Sequence, residues 1–343
     1  MQGPAWARKL ERLEICMKKF SLGLKALGVA MALSFCSASA LAADYPDKPL
    51  RVIVPYVPGG NLDITTRAIT TAMARIMKAT LVVENMGGAG GSIGASYAAR
   101  SNPDGYTVLS TTIVPLVVNP VMVPATKVRL GDFEPVGMLA VAPSVLEVNA
   151  RNKKGIKDFN SFLAYAKAHP NDISVSHAGN GTTNHIAALM MERDFGITLN
   201  LIPYKGSAPA LSDLVGGQVD AMVDQLTSSQ PQIDAHTVLP LAVTSIKRAP
   251  GIPDTPTVAE LTKTQFEMVT YSALMVPKGT PLAIRQALND ALSKAVADPD
   301  VKRALATVGS EVVPSTLEQA SKIVAAEEAK LQPLISSGML KPE

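Results

Sequence analysis

Residues 53–70, "IVPYVPGGNLDITTRAIT", end an apolar strand in a Pro-Gly-Gly corner and open an amphipathic helix. In the corner Pro58-Gly59-Gly60-Asn61-Leu62-Asp63, the unpaired amides of a helix start meet the positive end of its dipole. That chemistry suits a phosphate or a carboxylate, with Asp63 placed to cap the helix and Tyr56 and Val57 leading into the turn. A tight turn with no ligand uses the same residues. A second strand-to-helix loop, "HAGNGTTNH", offers His177, Ala178, Gly179, Asn180, Gly181, Thr182 and Thr183. Its glycines let the backbone turn sharply, and its threonines supply N-cap hydroxyls. Thr111, Thr112, Tyr204 and Asp224 are candidates for further contacts, whereas Lys205 reads as an exposed lysine.

Other chemistries find less support. "GGAGGSIG", residues 87–94, is not a dinucleotide fingerprint, because Ile93 stands where the third glycine belongs. No Gly-Lys-Ser/Thr phosphate loop and no G-x-S-x-G elbow occur, so no cofactor is expected. His177 and His185 lie eight apart without an intervening acid, which is not a zinc spacing, and His185 reads as a buried hydrogen-bonding histidine. Asp220 and Asp224 could form a carboxylate pair on one strand face. A secreted enzyme using Asp224 and a histidine is therefore an alternative.

These loops need α/β scaffolding. Strands are expected over 50–56, 80–85, 106–112, 145–149, 172–178, 199–204, 220–225 and 239–244. Helices are expected over 62–78, 93–101, 158–168, 182–195, 208–216, 281–297 and 316–331. The alternation predicts mainly parallel sheets covered on both faces. Residues 108–126 carry no charge, but Pro115, Pro120 and Pro124 argue for a strand leading into a loop instead of a membrane span. Apolar extended stretches at 140–146 and 268–275 are the expected crossings between two lobes. Lobe one is then 43–144 plus 270–343, and lobe two is 145–269.

The chain opens with a targeting segment. Lys18-Lys19, an apolar run and Ala40-Leu41-Ala42 form a signal peptide with cleavage expected before Ala43, the start before Met17 reading as over-called. A transmembrane anchor would need a longer unbroken run, and Phe35 before Cys36 is too bulky for a lipobox. Residues 1–42 hold six Lys or Arg and two acids, which leaves 26 basic against 27 acidic residues, a net charge of −1. A near-neutral protein has no electrostatic case for nucleic acid. Cys16 and Cys36 both precede the cut, so the mature chain has neither a disulfide nor a thiol nucleophile.

Taken in order, "YPDKPLRVIVPYVPGGNLDITTR", "VVENMGGAGGSIGA", "PDGYTVL", "AGNGTTNHIAA", "IPYKGSAPALSDLVGGQVDAM", "LAVTSIKR", "DTPTVAE" and "VPKGTP" resemble the Bug-type solute receptors of tripartite tricarboxylate transporters. The resemblance covers 45–335. It implies a periplasmic, two-lobed Venus-flytrap protein of type II without enzymatic activity. Such a protein closes on a small carboxylate, which backbone amides and water hold, and passes it to membrane transporter subunits. A monomer is expected. The family's two binding loops map onto Tyr56–Asp63 and Ala178–Thr182. Departures are Tyr56 for a common Phe, Met86-Gly87 for Arg-Pro, His177 for a frequent Ser, and Tyr271-Ser272 for Ser-Trp. A receptor signalling to a membrane sensor would share all of these residues.

Overall fold

The first strand, β1 (Leu50–Val54), is buried along most of its length and feeds the Pro-Gly-Gly corner and α1 (Asn61–Met77). Leu62, Ile69 and Met73 place one face of α1 in the core, and Lys78 ends it in a left-handed turn whose N–H returns to Ala74. The chain returns through β2 (Leu81–Asn85), α2 (Ser92–Ala99), β3 (Thr107–Thr112) and α3 (Ile113–Met122). The structure is a computed structural model that describes residues 45–123 and 125–342. The expected signal peptide and its cleavage point lie outside the described residues, as does Pro124. From Lys48 onward the chain packs as one compact unit.

The central element is β4 (Phe133–Asn149), which serves two sheets. Its residues 133–143 pair antiparallel with β9 (Val269–Pro277), and 144–149 pair antiparallel with β7 (Ala221–Gln225) and β8 (Val238–Val243). On the first side the order is β2-β1-β3-β9-β4, with β10 (Glu311–Val312) also on β4. On the second, β5 (Ser174–His177) lies between β7 and β6 (Asn200–Pro203), parallel to both. β1 is likewise parallel to β2 and β3. The sheets are thus mixed, not mainly parallel, because the two long strands β4 and β9 run against their neighbours. Helices α4 (Phe159–Ala168), α5 (Thr183–Phe195), α6 (Ser207–Val215), α7 (Leu226–Asp234) and α8 (Val258–Thr262) accompany the second sheet. Then α9 (Leu282–Ala297), α10 (Pro299–Thr307) and α11 (Leu317–Ser336) complete the described chain. Among the described residues no helix is long and apolar enough to cross a membrane.

Three expectations need correction. Residues 113–122 form a helix, not a loop: Pro115 is its third residue, where no intrahelical N–H is required, and Pro120 falls in its last turn. The strand expected at 145–149 begins at Phe133, because register shifts at Pro135/Gly137 and Met138/Ala140 absorb residues that read as strand breakers. Finally α7, α8 and α10 were not anticipated; α7 holds the polar run Thr227-Ser228-Ser229-Gln230, whose buried side chains hide its helical periodicity.

Candidate functional site

The two anticipated loops line one pocket. Its wall is Tyr56, Gly60, Asn61, Leu62, Asp63 and Thr112 from the β1–β3 side, with Ala178, Thr182, Thr183, Asn184, Ser207 and Gln225 from the β5–β7 side. The space between these walls is about 380 Å³ with its open mouth included. Five helices begin at this wall: Gly60 precedes α1, Thr112 precedes α3, Thr182 precedes α5, Ser207 opens α6, and Gln225 precedes α7.

Each start leaves amides without an intrahelical acceptor. In α1 the first bond is Ile64 N–H to Gly60 C=O at 3.0 Å, so the Asn61, Leu62 and Asp63 amides precede the ladder. In α5 it is Ile186 N–H to Thr182 C=O at 3.0 Å, while His185 N–H bonds the Thr182 hydroxyl at 3.4 Å. The Thr183 and Asn184 amides remain. Pro115 and Pro209 stand third in α3 and α6, so those helices offer two amides each. No Lys, Arg or His belongs to the wall. The attraction for an anion is therefore dipolar and hydrogen-bonded, not a point charge.

Beneath this wall a side-chain network fixes the second half. Asp224 is fully buried and accepts from Asn184 Nδ2 at 2.8 Å, Ser207 Oγ at 2.6 Å and the Ser228 hydroxyl. Burial pushes its carboxyl up to about 6, against the pull of these hydrogen bonds. Gln225 Nε2 donates to Asn184 Oδ1 and to Thr270 Oγ1, both at 2.9 Å, and so ties the pocket floor to β9. Nearby Glu147 is also fully buried; it accepts from Ser229 Oγ at 2.6 Å and burial raises its carboxyl to about 8.

Residues 65–340 match the family described as tripartite tricarboxylate transporter family receptor. The chain belongs to that family. This receptor is 36% identical over 311 residues to a UPF0065 protein from the tcbD-tcbE intergenic region of Pseudomonas sp. (strain P51), with 90% of this chain and 92% of that one covered. It is 33% identical to protein BugT of Bordetella pertussis over 306 residues, 89% and 93% of the two chains. Among solved structures it resembles the periplasmic binding protein BugD (33% identity, TM-score 0.80, 87% and 100% covered). It also resembles two Rhodopseudomonas palustris proteins. One is MatC with bound malate (29% identity, TM-score 0.80, 85% and 100% covered), the other Rpa4515 with adipate (28%, TM-score 0.83, 88% and 100%). These likenesses give the receptor the two-lobed α/β fold of the periplasmic binding proteins.

The receptor's pocket takes up only part of the anticipated set. Tyr56, Gly60, Asn61, Leu62, Asp63, Thr112, Ala178, Thr182 and Thr183 form the wall, whereas Val57, Pro58 and Gly59 do not. Asp63 does not cap α1; Gly60 stands at the cap, and Asp63 accepts from Gly59 N–H at 3.0 Å, Arg67 Nε at 2.9 Å and Asn85 Nδ2 at 2.9 Å. Burial works to raise its carboxyl, but these donors hold it below the usual range. Thr111 lines a separate small cavity behind Tyr56, and its hydroxyl bonds the Thr112 carbonyl at 3.0 Å.

His177, Gly179, Asn180 and Gly181 do not line the pocket; the last three pass beside it, against Gly90 and Asn119 on the opposing side. His177 and His185 stack with ring centres 4.4 Å apart, and burial lowers them to about 4 and about 3. As neutral rings they accept from the Gly179 and Gly181 amides at 3.3 and 3.2 Å, so those amides face inward. The Thr182 amide returns to Gly179 C=O at 3.2 Å. Tyr204 bonds Asp213 Oδ2 at 2.6 Å, and Asp224 acts from below. Asn184, Ser207 and Gln225 were missed. "GSAP" after Tyr204 carries a helix-start signature for Ser207, but only the packed sheet reveals that it meets Gly60.

Proposed function

We propose that this receptor captures a small carboxylate in the pocket between its lobes, closes over it, and delivers it to a tripartite tricarboxylate-type transporter. The observation that carries this reading is the convergence of five helix starts on a wall with no cationic side chain. One carboxylate rests on the Asn61–Asp63 amides, and the far end of the ligand meets the Thr183 and Asn184 amides. Malate in MatC and adipate in Rpa4515 support the ligand class. Each helix start contributes roughly 0.3–1 kcal/mol, up to ~2 when partly buried, against about 8 kcal/mol for micromolar affinity. Closure supplies the remainder by excluding water from several hydrogen bonds.

The lobes in this proposal are 43–144 with 270–343, and 145–269. The mature chain begins at Ala43 in the periplasm. Mass spectrometry of small molecules released from freshly purified, denatured protein is the test, followed by calorimetry with each compound found. Organic acids are expected. Release and binding of only neutral or cationic compounds would overturn the reading.

A further inference from the structure

Two carboxyls, Asp224 and Glu147, are fully buried beneath the pocket, and their hydrogen bonding is unequal. Asp224 accepts from Asn184, Ser207 and Ser228, whereas Glu147 accepts from Ser229 through Oε1, and its Oε2 has no partner in the protein. Ser228 and Ser229 are consecutive, so the start of α7 holds both groups. In the sheet Val145 pairs with Asp224 and Glu147 with Met222. Both carboxyls therefore leave one face, their Cα atoms roughly 7–8 Å apart on the diagonal. Among the described residues, the elements around Glu147 bring it no unpaired base. β7 supplies only Asp224, and β8 has no ionisable side chain. On α7, Asp234 accepts from Gln230; on α6, Asp213 accepts from Tyr204. The α1 arginines Arg67 and Arg75 pair with Asp63 and Asp298.

A carboxylate in the pocket adds negative charge to this layer, beside Ser207 and Asn184, the wall residues that also hold Asp224. The wall answers it with dipoles and no cation. Like charges in a buried site favour the neutral form of the group least supported by hydrogen bonds. Asp224, with three donors, keeps its charge; Glu147, with one, takes the proton. Resting on the carboxylate reading above, we propose that Glu147 is a proton-binding site coupled to the pocket, so that the receptor takes up a proton with its organic anion. The proton comes from solvent and turns the Glu147 carboxylate into the acid, Oε1 still accepting from Ser229. Burial and the Asp224 charge place this ionisation at about 8 in the free receptor. Well below that value Glu147 is already protonated in both forms; affinity is therefore greatest there and falls as pH rises past it. At roughly 10 Å and an effective dielectric near 20, one ligand carboxylate opposing ionised Glu147 corresponds to about a tenfold change in affinity.

The test is titration calorimetry with malate, adipate and any acid released from the purified protein, in pairs of buffers that differ in ionisation enthalpy. The dependence of observed heat on buffer counts the protons exchanged. Wild type is expected to take up about half a proton near pH 8.5, and its affinity should fall by roughly tenfold from pH 7 to pH 9.5. Glu147→Gln, isosteric with the protonated side chain, should bind as wild type does at pH 7. At pH 8.5 it should take up no proton and keep its affinity. Binding by wild type without proton uptake, or uptake that persists in Glu147→Gln, overturns the proposal and leaves the carboxylate reading standing. A variant weakened equally at every pH marks Glu147 as purely structural and overturns it too. If no organic acid binds at any pH, the carboxylate reading itself fails, and the proton site with it.

Discussion

Asp224 gathers the Asn184 amide and the Ser207 and Ser228 hydroxyls onto one buried carboxylate, and two of those residues form the pocket wall. Asp224→Ala leaves the Ser207 hydroxyl without its acceptor, whereas Asn184 Nδ2 keeps the Val223 carbonyl and Ser228 Oγ the Gln225 carbonyl. The expected outcome is a loss of about 1–3 kcal/mol in urea denaturation and at least a ~10-fold loss of affinity in calorimetry. Its neighbour Glu147 gives a pH signature. Its folded-state carboxyl lies near 8, well above the usual range, because it is buried and feels the Asp224 charge. The folded protein therefore binds this proton more tightly than the unfolded chain, and stability falls as pH rises from the ordinary glutamate range to about 8. Glu147→Gln should match wild type near pH 4 and gain in Tm relative to it as pH rises toward 8, read by calorimetric melts across that range. His177 and His185 act in the opposite sense: their depressed values mean stability is lost as pH falls from the usual imidazole range toward 4.

Helix α5 begins at Thr182, whose hydroxyl accepts from His185 N–H at 3.4 Å and donates to Gly179 C=O at 2.6 Å. Thr182→Ala is expected to cost about 1 kcal/mol of stability, the usual worth of an N-cap, and to weaken ligand binding severalfold by loosening the Thr183 and Asn184 amides. Parallel urea titration and calorimetry read the two effects. A loss of stability with unchanged affinity would mean that the α5 start does not meet the ligand. The stacked imidazoles behind this turn explain why the glycine amides themselves are unavailable: Gly179 and Gly181 donate to ring nitrogens instead.

At the scale of the molecule, the two sets of loops touch around the pocket. A Cβ at Gly90 would lie 2.0 Å from the Asn180 carbonyl oxygen, and one at Gly181 would lie 1.8 Å from Asn119 Oδ1. By contrast Gly60 has an ordinary extended backbone, and an added Cβ would stand 3.6 Å from Ser207 Cβ. Gly90→Ala should therefore hold the lobes apart. Its obstacle is backbone, and its φ of +58° costs about 1 kcal/mol more. Affinity is expected to fall at least ~10-fold, and the ligand-induced rise in Tm, worth about 2.7 kcal/mol at a hundredfold excess over Kd, should shrink accordingly. Gly60→Ala should change both little. Thermal-shift measurements with and without ligand distinguish the two variants.

Local chemistry made much of this legible. Strand, glycine corner and helix at 53–70 and again at 174–195 are short-range patterns, so the wall residues Gly60 to Asp63 and Ala178, Thr182 and Thr183 could be read directly. The same local rules misplaced 113–122, where proline tolerance depends on position within a helix, and the first half of β4, where bulges absorb Pro135 and Gly137. What tertiary structure alone decided is which amides of those loops remain free. The inward turn of Gly179 and Gly181 depends on two histidines stacking eight residues apart. The roles of Asn184, Ser207 and Gln225 depend on Asp224 and Thr270 reaching them from other strands. Hydrogen-bond donors are written in the sequence, but whether a donor is already satisfied is a property of the packed molecule.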